Sequence, residues 1–183
     1  FTGAIWQGGP ALPDPKLTWV LLTRDGGHAG STHALAAVRR WAAPRDVTVS
    51  VAGIVAHNLP KAGTGDGVRA RLISSREGLL ATWNIFNRSA ETKISSITLK
   101  QGETLDFVVD NGRANNVDND SFSWPVTITK QAAVEPVAGD DTGGSWSSVK
   151  EFTGPPAAPP NPMTPWEKFA QVLLESNEFV FVD

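Results

Sequence analysis

Val68-Arg69-Ala70-Arg71-Leu72 decides the fold: apolar side chains at every second position, with guanidinium groups between them, have the period of an extended strand with one covered face. Val68, Ala70 and Leu72 are expected inward, Arg69 and Arg71 outward. The same alternation recurs on both sides. Upstream, Ala36 to Trp41 leads into a Pro44-Arg45-Asp46 turn, after which Val47, Val49 and Val51 share one face and Thr48 and Ser50 the other. Downstream, Glu77-Gly78 turns the chain into Leu79 to Phe86. Ile94 to Leu99, a Gln101-Gly102-Glu103 turn and Leu105 to Val109 follow. The last run places Phe122, Trp124, Val126 and Ile128 on one face. Ser121, Ser123, Thr127 and Thr129 take the other.

From 35 to 129 no stretch has helical period, so consecutive antiparallel strands are predicted: an all-β, antiparallel β-sandwich with one short helix at its C-terminal end. Residues 1–130 are assigned to the sandwich. Within them, 1–34 form a Gly- and Pro-rich lead-in whose run Leu17 to Thr23 supplies an edge strand. Residues 131–163 are expected to be irregular and to end in the stiff linker Pro155-Pro156-Ala157-Ala158-Pro159-Pro160-Asn161-Pro162.

Residues 164–183 hold the helix and a tail. Thr164 as N-cap, Pro165 at the first helical position and Glu167 three residues after the cap make a capping box. Trp166, Phe169, Ala170, Leu173 and Leu174 form the apolar stripe, and the helix is expected to end near Ser176-Asn177. Phe179 to Val182 is apolar on both faces and calls for a cover.

At 183 residues the chain can bury one good core. A net charge of -3 provides no basic field, so neither nucleic acid nor an anionic membrane is an expected partner, and no apolar run approaches a membrane span. With no cysteine there is no disulfide framework, no thiolate nucleophile and no haem attachment motif. The opening at Phe1, without Met or a charged-then-apolar leader, reads as an excised fragment or a mature form.

Ala37-Val38-Arg39-Arg40-Trp41-Ala42-Ala43-Pro44, Gly65-Asp66-Gly67-Val68-Arg69-Ala70 and Gly102 to Asp110 resemble jelly-roll modules of bacterial polysaccharide-degrading systems, which are similar to galactose-binding-like β-sandwiches. Asp118-Asn119-Asp120-Ser121-Phe122-Ser123-Trp124 and the tail from Thr164 to Asp183 resemble the C-terminal region of large planctomycete-cytochrome-c-associated proteins. The resemblance implies a bacterial protein, secreted or bound to the cell envelope. It also implies a jelly-roll, galactose-binding-like fold, other domains of a parent protein as partners, and a link to glycans. Fold does not fix function, so the residues must carry the rest.

Seven tryptophans with no tyrosine single out the aromatic side chain best suited to lie flat on the C–H face of a sugar. A sugar site needs such a plate beside hydrogen-bonding groups. Trp6 with Gln7, Trp19, Trp83 with Asn84, and Trp146 satisfy this pattern, while Trp41 and Trp124 are assigned to the core. Arg69 and Arg71, on the polar face of their strand, are candidates for contacting a glycan chain; a salt-bridged surface, with Asp106 on a neighbouring strand, is the plainer alternative.

The loop crowded with Asp110, Asn111, Asn115, Asn116, Asp118, Asn119 and Asp120 offers hard oxygen donors, and Asp118 and Asp120 are the candidate calcium ligands. Asn and Asp also populate turns for backbone reasons. His28, His33 and His57 are expected in loops, and no serine-hydrolase, zinc-protease or phosphate-loop motif occurs. Three readings follow: a non-catalytic carbohydrate-binding module targeting a larger protein to a polysaccharide, a structural module docking on a sister domain, and, least favoured, a glycan-cleaving enzyme.

Overall fold

A computed structural model describes residues 1–57, 65–131, 144–156 and 163–169. The alternating runs become strands of two antiparallel sheets. The smaller sheet has the order β4-β9-β6-β7, with β4 at Ala37–Ala42, β9 at Thr104–Asp110, β6 at Val68–Ser74 and β7 at Gly78–Ile85. The larger is built on β5, Val47–His57, which pairs with β8, Arg88–Leu99, along one side. Along its other side β5 takes β10, Ser121–Ser123, and then β11, Val126–Lys130.

The last apolar run is therefore two strands and not one. Pro125 has no N–H to give to a ladder, so pairing stops there and resumes one residue later. The interruption lets each half recruit a different neighbour. β10 pairs with β3, Gly26–His28, which pairs with β2, Leu21–Leu22, and β2 with β1, Trp6–Gln7. β11 pairs with β12, Ser145–Ser147. The lead-in thus contributes three short strands where one from Leu17 to Thr23 was predicted, and a strand lies within the segment expected to be irregular.

The inward phase read from sequence holds. Val68, Ala70 and Leu72 of β6 and Leu105, Phe107 and Val109 of β9 pack against Val49, Val51 and Val55 of β5 with Leu99 and Ile128. Trp124 centres this core, with Phe107 and Trp83 edge-on at 5.4 and 5.7 Å, and its Nε1–H donates to the buried Thr92 hydroxyl at 3.0 Å. That bond answers the cost of burying an indole N–H.

Close backbone approach explains two glycines. A Cβ on Gly26 would meet the Phe122 carbonyl, and one on Gly27 the Leu21 carbonyl, so β3 fits between β2 and β10 only without side chains there. At the C-terminal side, Thr164 Oγ1 accepts the Glu167 N–H at 3.2 Å and Glu167 Oε2 accepts the Thr164 N–H at 2.7 Å, which is the predicted capping box, followed by helix over 165–169. The remainder of the predicted helix, the tail after it and most of the proline linker lie outside the described residues.

Candidate functional site

β4 is an edge of the smaller sheet, and β1 and β12 sit on the same side of β5 in the larger one, so the two layers part between them. The opening is a cleft of about 420 Å³, within the range of small-ligand sites. Trp41 of β4, Trp6 of β1 and Trp146 of β12 line it, and Phe107 and Ile128 reach it from the core. Trp41 and Trp146 stand 5.0 Å apart between ring centroids at 60°. Trp6 is held by its Nε1–H, which donates to the Thr153 carbonyl at 2.9 Å, and its ring lies 5.2 Å from that of Phe1.

The polar groups of the cleft come from β4 and from the segment after β12. Arg40, in the opposite phase to Arg39 and Trp41, faces away from the cleft and makes a bidentate pair with Asp106 on the outer face, both bonds at 2.7 Å. This partner holds the exposed guanidinium above its ordinary pKa. Glu151 Oε1 accepts the Ser147 N–H at 3.0 Å. Arg39 lies over the Phe152 ring at 5.6 Å and donates to the Thr23 carbonyl at 2.8 Å. Burial lowers its pKa, and the charge of Asp25 partly opposes this.

Of the residues singled out from sequence, Trp6 and Trp146 meet in this cleft, and the others are elsewhere. Gln7 turns back on its own loop, its Nε2 donating to the Gly9 carbonyl at 2.7 Å. Trp19 is 39% exposed and lies 6.3 Å from the His28 ring, outside the cleft lining. Trp83 shares the inward face of β7 with Ala81 and Ile85 and packs on Trp124, so it is a core residue; Asn84, one position on, is exposed on the other face. Trp41, assigned to the core from sequence, lines the cleft.

Arg69 and Arg71 share one counter-ion. Their Nη2 groups donate to Asp110 Oδ2 at 2.8 and 2.7 Å, and Asp110 is fully buried where β9 pairs with β6. They occupy the outer face of the smaller sheet, apart from the cleft. His28 and His57 close β3 and β5 instead of lying in loops, and His57 is fully buried. Burial lowers the pKa of His28, against a hydrogen bond to the Ala29 carbonyl that raises it.

The acidic loop divides the two candidate calcium ligands: Asp118 is exposed and Asp120 fully buried. Neither carboxylate oxygen of Asp120 has a hydrogen-bond partner, and the same holds for the buried Oδ1 atoms of Asn111 and Asp66. Desolvation first, then the charges of Asp66, Asp118 and Asp110, push the Asp120 carboxyl up to about 7. Among the described residues no three His, Cys, Asp or Glu side chains are grouped to hold a metal. The orphaned oxygens, two carboxylates and an amide, are nonetheless hard donors of the kind calcium takes.

Sequence reasoning missed Trp41 and Phe152 as cleft residues. The signal for Trp41 was present: Ala37, Arg39 and Trp41 share a phase, and a guanidinium on the inward face marks an edge where the layers do not close. Phe152 had no such signal, because its position depends on β12. Compared with known proteins, the chain matches no family model and no curated protein.

Proposed function

We propose that this chain is a non-catalytic carbohydrate-binding module that seats a polysaccharide in the cleft between β4 and β12. The observation that carries the reading is the convergence of Trp6, Trp41 and Trp146, from three strands, on one 420 Å³ cleft whose polar groups include Arg39 and Glu151. Indole faces supply apolar contact to sugar rings, and the charged groups are placed to meet hydroxyls. Glycoside cleavage ordinarily uses two carboxylates flanking one bond, and Glu151 is the single carboxylate lining the cleft among the described residues, which supports binding over cleavage. The resemblance to galactose-binding-like jelly rolls of secreted bacterial proteins agrees with this role and with a secreted or envelope location.

Affinity electrophoresis against a panel of plant and algal polysaccharides tests it. Retardation by at least one polysaccharide, lost in Trp6→Ala and Trp146→Ala and kept in Trp19→Ala, is the expected result. Retardation unaffected by either cleft substitution would place the site elsewhere.

As part of the same reading a structural calcium would be held at Asp120, whose two buried oxygens have no hydrogen-bond partner and whose carboxyl feels the charge of Asp66. A second reading, docking on a sister domain of a parent protein, rests on Trp166 and Phe169, which are 80% and 55% exposed on the short helix. Deleting residues 164–183 should leave polysaccharide retardation intact if the helix serves docking alone.

A further inference from the structure

β7, the other edge of the smaller sheet, runs into a tight turn at Phe86 and Asn87, and Phe86 remains 48% exposed. Its ring stacks on the His57 imidazole, with centroids 6.1 Å apart at 24°. His57 is a fixed backing: Nδ1 accepts the Asn87 N–H at 3.1 Å, and Nε2 donates to the Asn119 carbonyl at 2.9 Å. An aromatic plate of set orientation therefore forms part of the wall of a groove of about 370 Å³.

Two guanidinium groups flank that plate. Arg88 donates through Nη2 to the Asn84 carbonyl at 2.8 Å, which anchors one corner of its fork. Arg113 enters from the loop after β9 and has no hydrogen-bond or ion-pair partner among the described residues. The loop itself is pinned: Gly112, at φ +75°, lies so close to the Gly67 carbonyl that a Cβ would collide with it. Asp66 is the single carboxylate in the lining among the described residues, and it is turned into the protein, with Oδ2 accepting the Ala114 N–H at 2.8 Å and Oδ1 buried.

We propose that this groove is a second glycan subsite, specific for an acidic sugar residue whose C–H face stacks on Phe86 and whose anionic group pairs with Arg113 and Arg88. A planar fork without a protein partner suits a carboxylate or sulfate oxygen pair, and a phenyl plate beside it suits a pyranose ring better than a free anion. The groove is separate from the tryptophan cleft and does not depend on it.

Titration calorimetry of the whole chain with three probes tests the proposal: an oligogalacturonate, its fully methyl-esterified form, and a sulfated galactan oligosaccharide. At least one acidic probe should bind roughly tenfold more tightly than the ester, the scale of one charge-assisted hydrogen bond. Arg113→Gln, an exposed change that leaves the fold alone, should bring the acidic probe down to the level of the ester. Phe86→Ala should weaken binding and Phe86→Trp restore it, which separates loss of the plate from loss of folding. Trp146→Ala should preserve the acid preference even if the cleft fails as a polysaccharide site. Equal affinity for acid and ester, or an acid preference that survives Arg113→Gln and Arg88→Gln together, would overturn the subsite.

Discussion

Trp41 and Trp146 belong to different sheets, yet their rings meet 5.0 Å apart, so one aromatic pair ties the two layers together where they line the cleft. The pair couples the position of β12 to that of β4. Trp146→Ala should therefore cost more than binding. Thermal unfolding should show a fall of several degrees beside the lost polysaccharide retardation, because a partly buried indole that packs on the core is removed. Trp19→Ala, outside the cleft, should change neither reading.

A buried carboxylate shared by two cations is more sensitive than either cation. Asp110→Asn removes the charge that neutralises both Arg69 and Arg71. It should destabilise by about 3 kcal/mol in urea unfolding. Arg71→Gln should cost less, since Arg69 still donates to Asp110 through Nε and Nη2.

Asp120 gives stability a definite slope with pH. Its carboxyl is raised from 3.8 to about 7, so between those values the folded chain holds a proton that the unfolded chain has lost. Stability from this group is greatest near pH 4 and falls as pH rises toward 7. Melting temperature followed by scanning calorimetry in chelator should drop by roughly 5 °C or more across that window. Millimolar calcium should remove the decline by favouring the ionised form, and Asp120→Asn should abolish both the slope and the calcium response.

Thr92→Val leaves the volume of the core almost unchanged and strips the acceptor from the Trp124 Nε1–H. The expected cost is about 1 to 3 kcal/mol, the penalty of an indole N–H buried without a partner, read from denaturant midpoints. Thr98→Val, whose hydroxyl pairs with that of Thr48 at the surface, is the control and should stay within about 0.5 kcal/mol.

The strands were legible wherever alternation and turn residues agreed, as at Val68 to Leu72 and Val47 to Val51, because a period of two with one buried face leaves a single phase. β2 falls within the predicted run from Leu17 to Thr23, but β1, β3 and β12 were not legible as strands. Two or three residues carry no period, and their pairing depends on β2, β10 and β11, whose partners local sequence does not name. The same limit governs the cleft: Trp6 and Trp146 can be picked out as tryptophans beside polar groups, but their meeting with Trp41 follows from sheet order. Trp83 reads from sequence as a candidate sugar plate for a related reason, since phase alone does not tell which face of β7 the other sheet covers.

The tight seat of Gly26 and Gly27 bears on how this protein can be shortened. Starting a recombinant version at Leu35, where the clearer strands begin, would delete β1 to β3 and leave β10 unpaired on the side that β3 fills. A bare strand margin of that kind recruits other chains, so such a truncation should precipitate or self-associate, while one that keeps Gly26–His28 and the residues before it should not.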